Sequence, residues 1–421
     1  MLVLIPIVWF SLLLAICISK KGFGVSAYVS LMYVITSIAA LLLYSNTPKA
    51  ERLDPSLIST IIYCFLISLS IIPIYRIDKT GYQNVQINNP GFIKGLIWFY
   101  LFCFFFLLVF YWQDIMFRIA LGDWDDIKRS AAMGDAYSIR QFSGLLRPVS
   151  IIVRVFTSIS FVMIPVFFLS LKQLRLPYRY SFSAIIGSLS SFLVAILDAD
   201  RSRIFIWVLL MGLCLVIFWG ELGKRMKRSI IPLIVSVIGV AVIYSYAVSV
   251  SRFSDTSGGA LQSVIAYAGQ PFSNFCYFFD HFNNLEGVNT RVLFPFTHTF
   301  IVGDYVGGVD LQMEMTLKTG IYSSVFYTFL GIFIIDSNQA GPFLFIIVYL
   351  LIWAIVQRRS KKRNRVSLYS FFVYYFLMVI PTYGCIAYMY SHWYLTLSIV
   401  LLLLSCRISG NSKLISTEQV L

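Results

Sequence analysis

The residues best suited to chemistry lie in one polar segment of the chain, residues 249–339. His298 stands there between Arg291 and Asp304. A guanidinium fork matches the geometry of phosphate oxygens, and an imidazole or a carboxylate can take a proton from a hydroxyl group. We therefore expect Arg291, His298 and Asp304 to be catalytic, although a structural role fits His298 equally well. Arg252, earlier in the segment, is a candidate for binding an anionic substrate.

A second group of charges occupies a very short turn between two apolar runs. Asp198 and Asp200 are followed there by Arg201 and Arg203. Either the arginines bind a ligand or they pair locally with the two aspartates, and the sequence leaves both interpretations open. Arg201 and Arg203 are accordingly candidates for substrate binding.

One arginine, Arg154, lies within an apolar run. It follows Arg147 by two helical turns, so both side chains occupy one face of the helix expected there. An ionisable group inside a membrane span is a functional candidate by default, although a long side chain can also reach the membrane surface. Arg154 is therefore a further candidate for substrate binding.

The sequence contains none of the motifs that mark nucleotide or metal chemistry. It has no phosphate-binding Gly-rich loop, no HExxH and no GxSxG in a strand–helix context. The seven cysteines form no CxxC pair, and no carboxylate cluster demands a metal. We expect no cofactor, no metal and no cytoplasmic nucleotide-binding domain.

The elements that must position these residues are membrane helices. The chain is 59% hydrophobic and only 12% charged, with a mean hydropathy of +0.81. So few charges cannot cover an aqueous surface, and the apolar runs are continuous, which favours helices over a barrel. We predict an all-α polytopic protein with about eleven transmembrane helices, at 2–19, 25–44, 57–75, 93–112, 149–170, 182–197, 204–220, 230–248, 340–357, 368–386 and 390–407.

Lysine and arginine accumulate on the cytoplasmic side of membrane proteins. The four basic clusters of the chain are at 20–21, 172–179, 224–228 and 358–365. Placing all four inside puts the N-terminus outside and makes 113–148 and 249–339 outward loops. The apolar stretch 320–335 would reverse this orientation if it crossed the membrane, so we predict a re-entrant or interfacial segment.

This orientation divides the chain into three parts. Residues 1–248 hold eight spans and the outward loop 113–148, residues 249–339 form a large periplasmic loop, and residues 340–421 hold the last spans and a cytoplasmic tail. The net charge of +14 then arises from the cytoplasmic face, which meets anionic membrane lipid, and it does not indicate nucleic acid.

Several segments match patterns known from one family. Arg201 with Gly212 has the form Arg-x10-Gly, and Arg291 with Gly307 has the form Arg-x15-Gly. Residues 320–327, GIYSSVFY, precede Asp336 and a span, and residues 122–129, GDWDDIKR, end at Arg129.

These features resemble the Wzy-type O-antigen polymerases of bacterial inner membranes, which are polytopic proteins with a large outward loop late in the chain. The resemblance covers nearly the whole architecture. It makes Arg129 a further candidate for substrate binding. The related ligases usually carry a His-Asn pair near the end of the large loop, and this chain has none there, which favours a polymerase.

The resemblance implies a substrate and a reaction. Oligosaccharide repeat units linked to undecaprenyl pyrophosphate are joined by glycosyl transfer at the periplasmic face, with the arginines neutralising the pyrophosphate leaving group. A chain-length regulator and a flippase of the same pathway are the expected protein partners. Three alternatives remain: a flippase or other transporter of the same lipid-linked unit, a ligase-type glycosyltransferase, and a non-catalytic envelope scaffold.

Overall fold

The computed structural model describes most of the chain. The described residues are 2–48, 52–77, 85–122, 124, 142–144, 146–172, 174, 176–253, 259–282, 291, 294–304, 308–320, 327–363, 366–390 and 392–418. Nearly all of them are helical, and a single pair of two-residue strands, β1 (Val85–Gln86) and β2 (Val366–Ser367), completes the described regular structure.

The helices follow the apolar runs of the sequence. The first nine are α1 Leu4–Lys21, α2 Val25–Asn46, α3 Leu57–Ile77, α4 Pro90–Phe110, α5 Trp112–Leu121, α6 Leu146–Thr157, α7 Met163–Lys172, α8 Tyr178–Ser188 and α9 Ser190–Leu197. The remaining long helices are α10 Arg201–Phe218, α11 Lys224–Phe253, α12 Gly259–His281, α13 Gly308–Thr319, α14 Thr328–Ser337, α15 Gly341–Arg363, α16 Leu368–Tyr383 and α17 Trp393–Glu418.

The predicted fold class is confirmed: the chain is an all-α polytopic membrane protein. Nine helical stretches among the described residues are long and apolar enough to cross a membrane, and the bent pair α6–α7 makes a tenth. Each of the eleven predicted spans overlaps helix: 149–170 falls on α6 and α7 together, 182–197 falls on α8 and α9 together, and α16, with 16 residues, is the one single helix that is shorter than the nine stretches counted above. The exact number of crossings and the side of each loop stay predictions.

Contacts divide the chain into two compact units. The first comprises residues 1–86 and 264–403, and the second comprises residues 87–263 and 404–421. Buried tyrosines connect the helices of the first unit, since Tyr33 of α2 donates to the carbonyl of Pro381 (3.0 Å) and Tyr349 of α15 donates to that of Ser70 (3.1 Å). Such interhelical hydrogen bonds satisfy polar groups that lipid cannot.

Two basic clusters of the first unit, around Lys21 and around Arg358, lie at one end of it, which we call the basic end. Lys21, at the end of α1, donates to the carbonyl of Tyr75 and lies over its ring, near the end of α3. The parallel pairing of β1 with β2 brings the chain after α3 beside the chain after α15, the helix that carries Arg358 and Arg359. Two of the four predicted cytoplasmic clusters therefore lie at the same end.

Helix α12 lies within the segment expected as a periplasmic loop, yet it packs along two spanning helices. A Cβ at Gly269 would come within 2.6 Å of the carbonyl oxygen of Ala39 in α2, so the two backbones are in close contact. At the end of α12 away from the basic end, Asp280 accepts hydrogen bonds from the hydroxyls of Ser56 (2.8 Å) and Ser59 (2.9 Å). Some of the polar residues that make α12 resemble a loop in the sequence therefore form hydrogen bonds with other helices.

Helix α14 forms a helical hairpin with α15. The chain reverses at Asn338, whose φ of 56° is left-handed, and the ring of Phe333 stacks on that of Phe345 at 4.2 Å. All ten residues of α14 are buried. Most of α14 lies within the stretch 320–335, for which a re-entrant or interfacial segment is predicted; residues 321–326 lie outside the described part of the chain, and the segment's relation to the membrane stays a prediction.

The second unit is built around α4 and its neighbours. Trp207 of α10 donates to the hydroxyl of Ser188 (2.9 Å), and the rings of Phe168 and Phe218 stack at 5.2 Å. Helices α6 and α7 meet at an angle of 56°, which separates the amphipathic helix α6, with its two arginines, from the apolar run that follows it. The short helix α5 places Arg118 at the turn between α9 and α10, where its guanidinium donates to the carbonyl of Leu197.

Candidate functional site

The first unit contains an ionic cluster made of the three residues predicted to be catalytic and two more. We call it the His298 cluster, and its members are Arg291, His298, Asp304, Glu314 and Lys318. His298 opens a short π-helical turn, His298–Val302, that follows the helical turn Pro295–Thr297. Gly303 has a φ of 79°, a conformation that favours glycine, and this turn of the backbone brings Asp304 back to His298.

The cluster is held together by a continuous series of charged contacts. His298 Nδ1 lies 2.7 Å from Asp304 Oδ1, and Arg291 Nε lies 3.7 Å from Asp304 Oδ2. On its other side, Arg291 Nη1 lies 3.1 Å from Glu314 Oε2, and Lys318 Nζ lies 2.9 Å from Glu314 Oε1. Glu314 and Lys318 are one turn apart on α13, a spacing that places them side by side.

Both carboxylates of the cluster are held in the ionised form. The hydrogen bond from His298, with the charge of Arg291, lowers the pKa of Asp304 below its usual value. The hydrogen bond from Lys318, again with help from Arg291, lowers the pKa of Glu314. His298 is only 13% exposed, whereas Asp304 is largely open to solvent.

This arrangement fits acid–base chemistry on an anionic substrate. In the tautomer in which the Nδ1–H of His298 donates a hydrogen bond to Asp304, Nε2 is the ring nitrogen that can accept a proton, as in other carboxylate–histidine pairs. Arg291 offers five N–H donors in a fixed plane, and the two carboxylates engage only some of them. The sequence had placed these three residues in one segment, but their contacts depend on the fold.

The second unit contains another charged site, at the turn between α9 and α10. Arg203 pairs with Asp198 (Nη2 to Oδ2, 3.3 Å) and with Asp200 (Nε to Oδ2, 3.5 Å). Asp200 also caps α10 by accepting from the backbone N–H of Ser202 at 3.0 Å. Local pairing, one of the two interpretations that the sequence left open, is therefore what the structure shows for Arg203.

Arg201 points differently from Arg203. Its Nη1 donates to the hydroxyl of Ser249 in α11, so it joins the turn to another helix. Beneath the turn, Ala199 is buried with a φ of 48°, a left-handed conformation that a non-glycine residue adopts at a cost of about 1 kcal/mol or more. Strain held in place by surrounding contacts is common at functional sites.

A residue missing from the sequence-based candidates, Arg118 of α5, is the most buried charge of this site. It is 3% exposed and donates to the carbonyl of Leu197, the last residue of α9. Burial lowers the pKa of Arg118, while the negative charges of Asp198 and Asp114 raise it. The sequence feature that could have indicated Arg118 is its spacing from Asp114. The two residues are one turn apart in a short helix whose other residues are mostly apolar.

Helix α5 is amphipathic, with its charged side facing the protein interior and its apolar side exposed. It buries Arg118 and exposes large apolar side chains, including Trp112, Phe117 and Ile119. In water this arrangement would be unfavourable, but it is the expected one where lipid surrounds the helix. The charged site of the second unit therefore lies behind a lipid-compatible surface.

The other residues predicted to bind substrate either lie outside these two sites or have side chains outside the described part of the structure. Arg154, near the end of α6, is exposed. Arg252 lies in the last turn of α11, and its side chain is outside the described atoms. Arg129 is not among the described residues, although Trp124 of the same segment packs on the ring of Tyr244 (5.3 Å between centroids).

The described residues contain no group of three or more His, Cys, Asp or Glu side chains that could hold a metal ion. Fold and sites together define a multi-pass helical membrane protein, and each unit has an ionic cluster among its described residues. The chain matches no known protein family, and no characterised protein or solved structure is similar to it.

Proposed function

We propose that this protein is a glycosyltransferase that polymerises oligosaccharide repeat units linked to undecaprenyl pyrophosphate, as the Wzy-type O-antigen polymerases do. The proposal places it in the bacterial inner membrane, with the basic end in the cytoplasm and the His298 cluster at the periplasmic face. The product is O-antigen or a related surface polysaccharide.

One observation carries the proposal: Arg291, His298 and Asp304 lie in contact with one another. The sequence suggested these residues because an arginine, an imidazole and a carboxylate are what transfer from a pyrophosphate leaving group needs. Their side chains form one connected group with His298–Asp304 at 2.7 Å.

Each residue of this group has a role in the proposed transfer. The acceptor sugar hydroxyl forms a bond to the anomeric carbon of the donor, and its proton passes to Nε2 of His298. The bond from that carbon to the pyrophosphate oxygen breaks, and the electron pair stays on the lipid pyrophosphate. Arg291 stabilises the charge that develops there, and Asp304 stabilises the imidazolium of His298.

Substitutions in a host strain lacking the gene test this mechanism. Arg291→Lys keeps the charge but loses the planar fork, and His298→Gln keeps a side-chain donor to Asp304 but cannot take a proton. We expect each to lower polymerisation by about 10²–10⁴-fold, so that gels show lipid capped by a single repeat unit instead of a ladder.

Two matched controls lie in the same unit. Arg52→Lys changes an arginine whose Nε donates to the carbonyl of Thr47, and His281→Gln changes a histidine that stacks on Tyr277. Both should keep the ladder. A normal ladder from Arg291→Lys and His298→Gln at normal protein levels would refute the proposal, and loss of all capped lipid would indicate a flippase or a ligase instead.

A further inference from the structure

An exposed apolar surface adjoins the His298 cluster. In the segment 294–302 the side chains of Phe300, Ile301 and Val302 are 56%, 74% and 58% exposed, and Phe294 and Phe296 are also exposed. So many large apolar side chains on consecutive turns are unusual on a surface that faces water. We therefore expect these side chains to contact an apolar partner outside the described structure.

The segment has two chemically different sides. Its ionisable residue, His298, turns inward and contacts Asp304, and Thr299 donates to the carbonyl of Pro295, while the large apolar side chains of the segment are exposed. The rings of Phe296 and Phe300 lie 4.8 Å apart, so the apolar side is a contiguous surface. This division is that of an amphipathic element lying at a membrane surface.

The position of the segment identifies the partner. The ring of Phe300 packs edge-to-face on that of Trp393 at 5.2 Å, and Trp393 is the first residue of the apolar stretch Trp393–Gly410 of α17. Tryptophan at the end of a membrane helix marks the boundary between headgroups and acyl chains. The exposed surface is thus continuous with the lipid-facing surface of a spanning helix.

Helix α13 also carries exposed apolar side chains next to the cluster. Met313 and Leu317 are exposed, and they are the neighbours in sequence of Glu314 and Lys318, which contact the cluster. Apolar residues therefore border the charged group on two separate elements.

We propose that residues 294–302 are a membrane anchor whose apolar side inserts among the acyl chains of the adjoining lipid leaflet. Insertion holds the His298 cluster at the depth of the lipid headgroups, where charged groups of membrane-bound molecules lie. This anchor does not depend on the reaction proposed above, because any substrate or none could occupy the cluster.

Spin labels on the full-length protein in vesicles of phosphatidylethanolamine and phosphatidylglycerol test the anchor. The seven native cysteines are buried, so Ile301→Cys and Val302→Cys give selective labelling sites. Gln339→Cys is the matched control, since Gln339 is an exposed polar residue of the same unit. Collision rates with oxygen, which concentrates in lipid, and with a water-soluble nickel chelate report the depth of each label.

We expect labels at 301 and 302 to collide more with oxygen than with the nickel chelate, and the label at 339 to show the reverse. Equal access of the nickel chelate at 301, 302 and 339 would overturn the proposal. Dipolar broadening between labels at 301 that disappears on dilution with unlabelled protein would also overturn it, because a second copy of the chain would then be the partner.

Discussion

Arg118 illustrates how much a single buried charge can depend on its neighbours. Its guanidinium donates to the carbonyl of Leu197 and lies in the field of Asp198, with almost no exposure to solvent or lipid. A charge in such a place is tolerated only where acceptors and counter-charges surround it. Removal of the arginine leaves Asp198 with one cation fewer and the end of α9 without this donor.

The first prediction concerns this residue. Arg118→Met should lower the free energy of unfolding by about 3 kcal/mol, because it breaks a buried charged contact while keeping a similar volume. Arg147→Met is the control, since Arg147 is exposed, and it should change stability by less than about 0.5 kcal/mol. Reversible unfolding in mixed micelles measures both, and equal effects would show that Arg118 is not a structural centre of the turn.

The second prediction concerns the titration of Glu314. Its pKa lies below the usual glutamate value because Lys318 donates to it and Arg291 is close. Lys318→Met should therefore raise the pKa of Glu314. A group with a lowered folded-state pKa contributes stability that is full above about pH 4.3, its usual value, and is lost as the pH falls through the folded value.

The titration can be followed directly, because the chain contains only five glutamates. Carbon-13 NMR of protein labelled at the glutamate carboxyl carbon, with Glu314→Gln for assignment, gives the pKa. Lys227→Met, which removes a lysine that lies over the ring of Trp219, should leave the Glu314 titration unchanged. An unchanged titration in Lys318→Met would show that the ion pair does not persist in solution.

At the scale of elements, the hairpin of α14 and α15 depends on one close approach. The Cα of Gly341 is so near the backbone of Phe333 that an added Cβ would lie 1.9 Å from its carbonyl oxygen. No side-chain rotation can relieve a contact with backbone. Glycine at this position is therefore required for the packing of two helices and not for the conformation of its own backbone.

The third prediction is that Gly341→Ala destabilises the protein by about 1–3 kcal/mol, because one helix of the hairpin must move away from the other. Gly95→Ala is the control, since nothing lies within 4 Å of the position of its Cβ, in the exposed face of α4. It should be neutral or slightly stabilising. Thermal unfolding in detergent compares the two, and equal melting temperatures would mean that the hairpin is looser than the structure shows.

Helices α5 and α12 show two ways in which a polar sequence is reconciled with a membrane. Helix α5 turns its charge inward and its apolar side chains outward. Helix α12 satisfies Asp280 with hydroxyls of α3 and lies backbone to backbone on α2 through Gly269. Close contact through small residues is a common basis of helix association in lipid.

At the scale of the whole molecule, the distribution of charge predicts an orientation. Within the first unit, Lys21 and the basic residues at the end of α15 lie at one end, away from Asp280 and Gln339. In the second unit, Lys224 follows α10, whereas Arg201 begins it, so the two lie a helix length of about 27 Å apart. The positive-inside rule assigns the lysine-rich ends to the cytoplasm.

The fourth prediction follows from this assignment. In intact spheroplasts, a membrane-impermeant maleimide should label Gln339→Cys and should label Lys20→Cys only after the membrane is opened. Both native side chains are exposed, so burial does not determine the result, and the native cysteines are buried. The reverse pattern would place the His298 cluster on the cytoplasmic side and would contradict the proposed function.

The residues of the His298 cluster could mostly be predicted from their types, but the contacts between them could not. His298 and Asp304 are six residues apart, so their contact needs only one local turn at Gly303. Arg291 reaches Glu314 across 23 residues, and Arg118 reaches Leu197 across 79. Contacts over such separations depend on how helices pack, and no local pattern in the sequence records them.

The sequence by itself determined that the chain is a bundle of membrane helices, because lipid requires every spanning segment to be continuously apolar and to satisfy its backbone internally. It also determined the asymmetry of charge between the ends of the helices. The contacts between these charges can be seen only in the folded chain: Arg203 pairs with the aspartates of its own turn, and Arg201 donates to Ser249. The packing of α12 against spanning helices is likewise a property of the fold. Contact with lipid requires each spanning helix to be apolar, and this requirement can be seen in the sequence of one helix alone. The contacts between helices depend on how their side chains pack, and packing involves several helices at once.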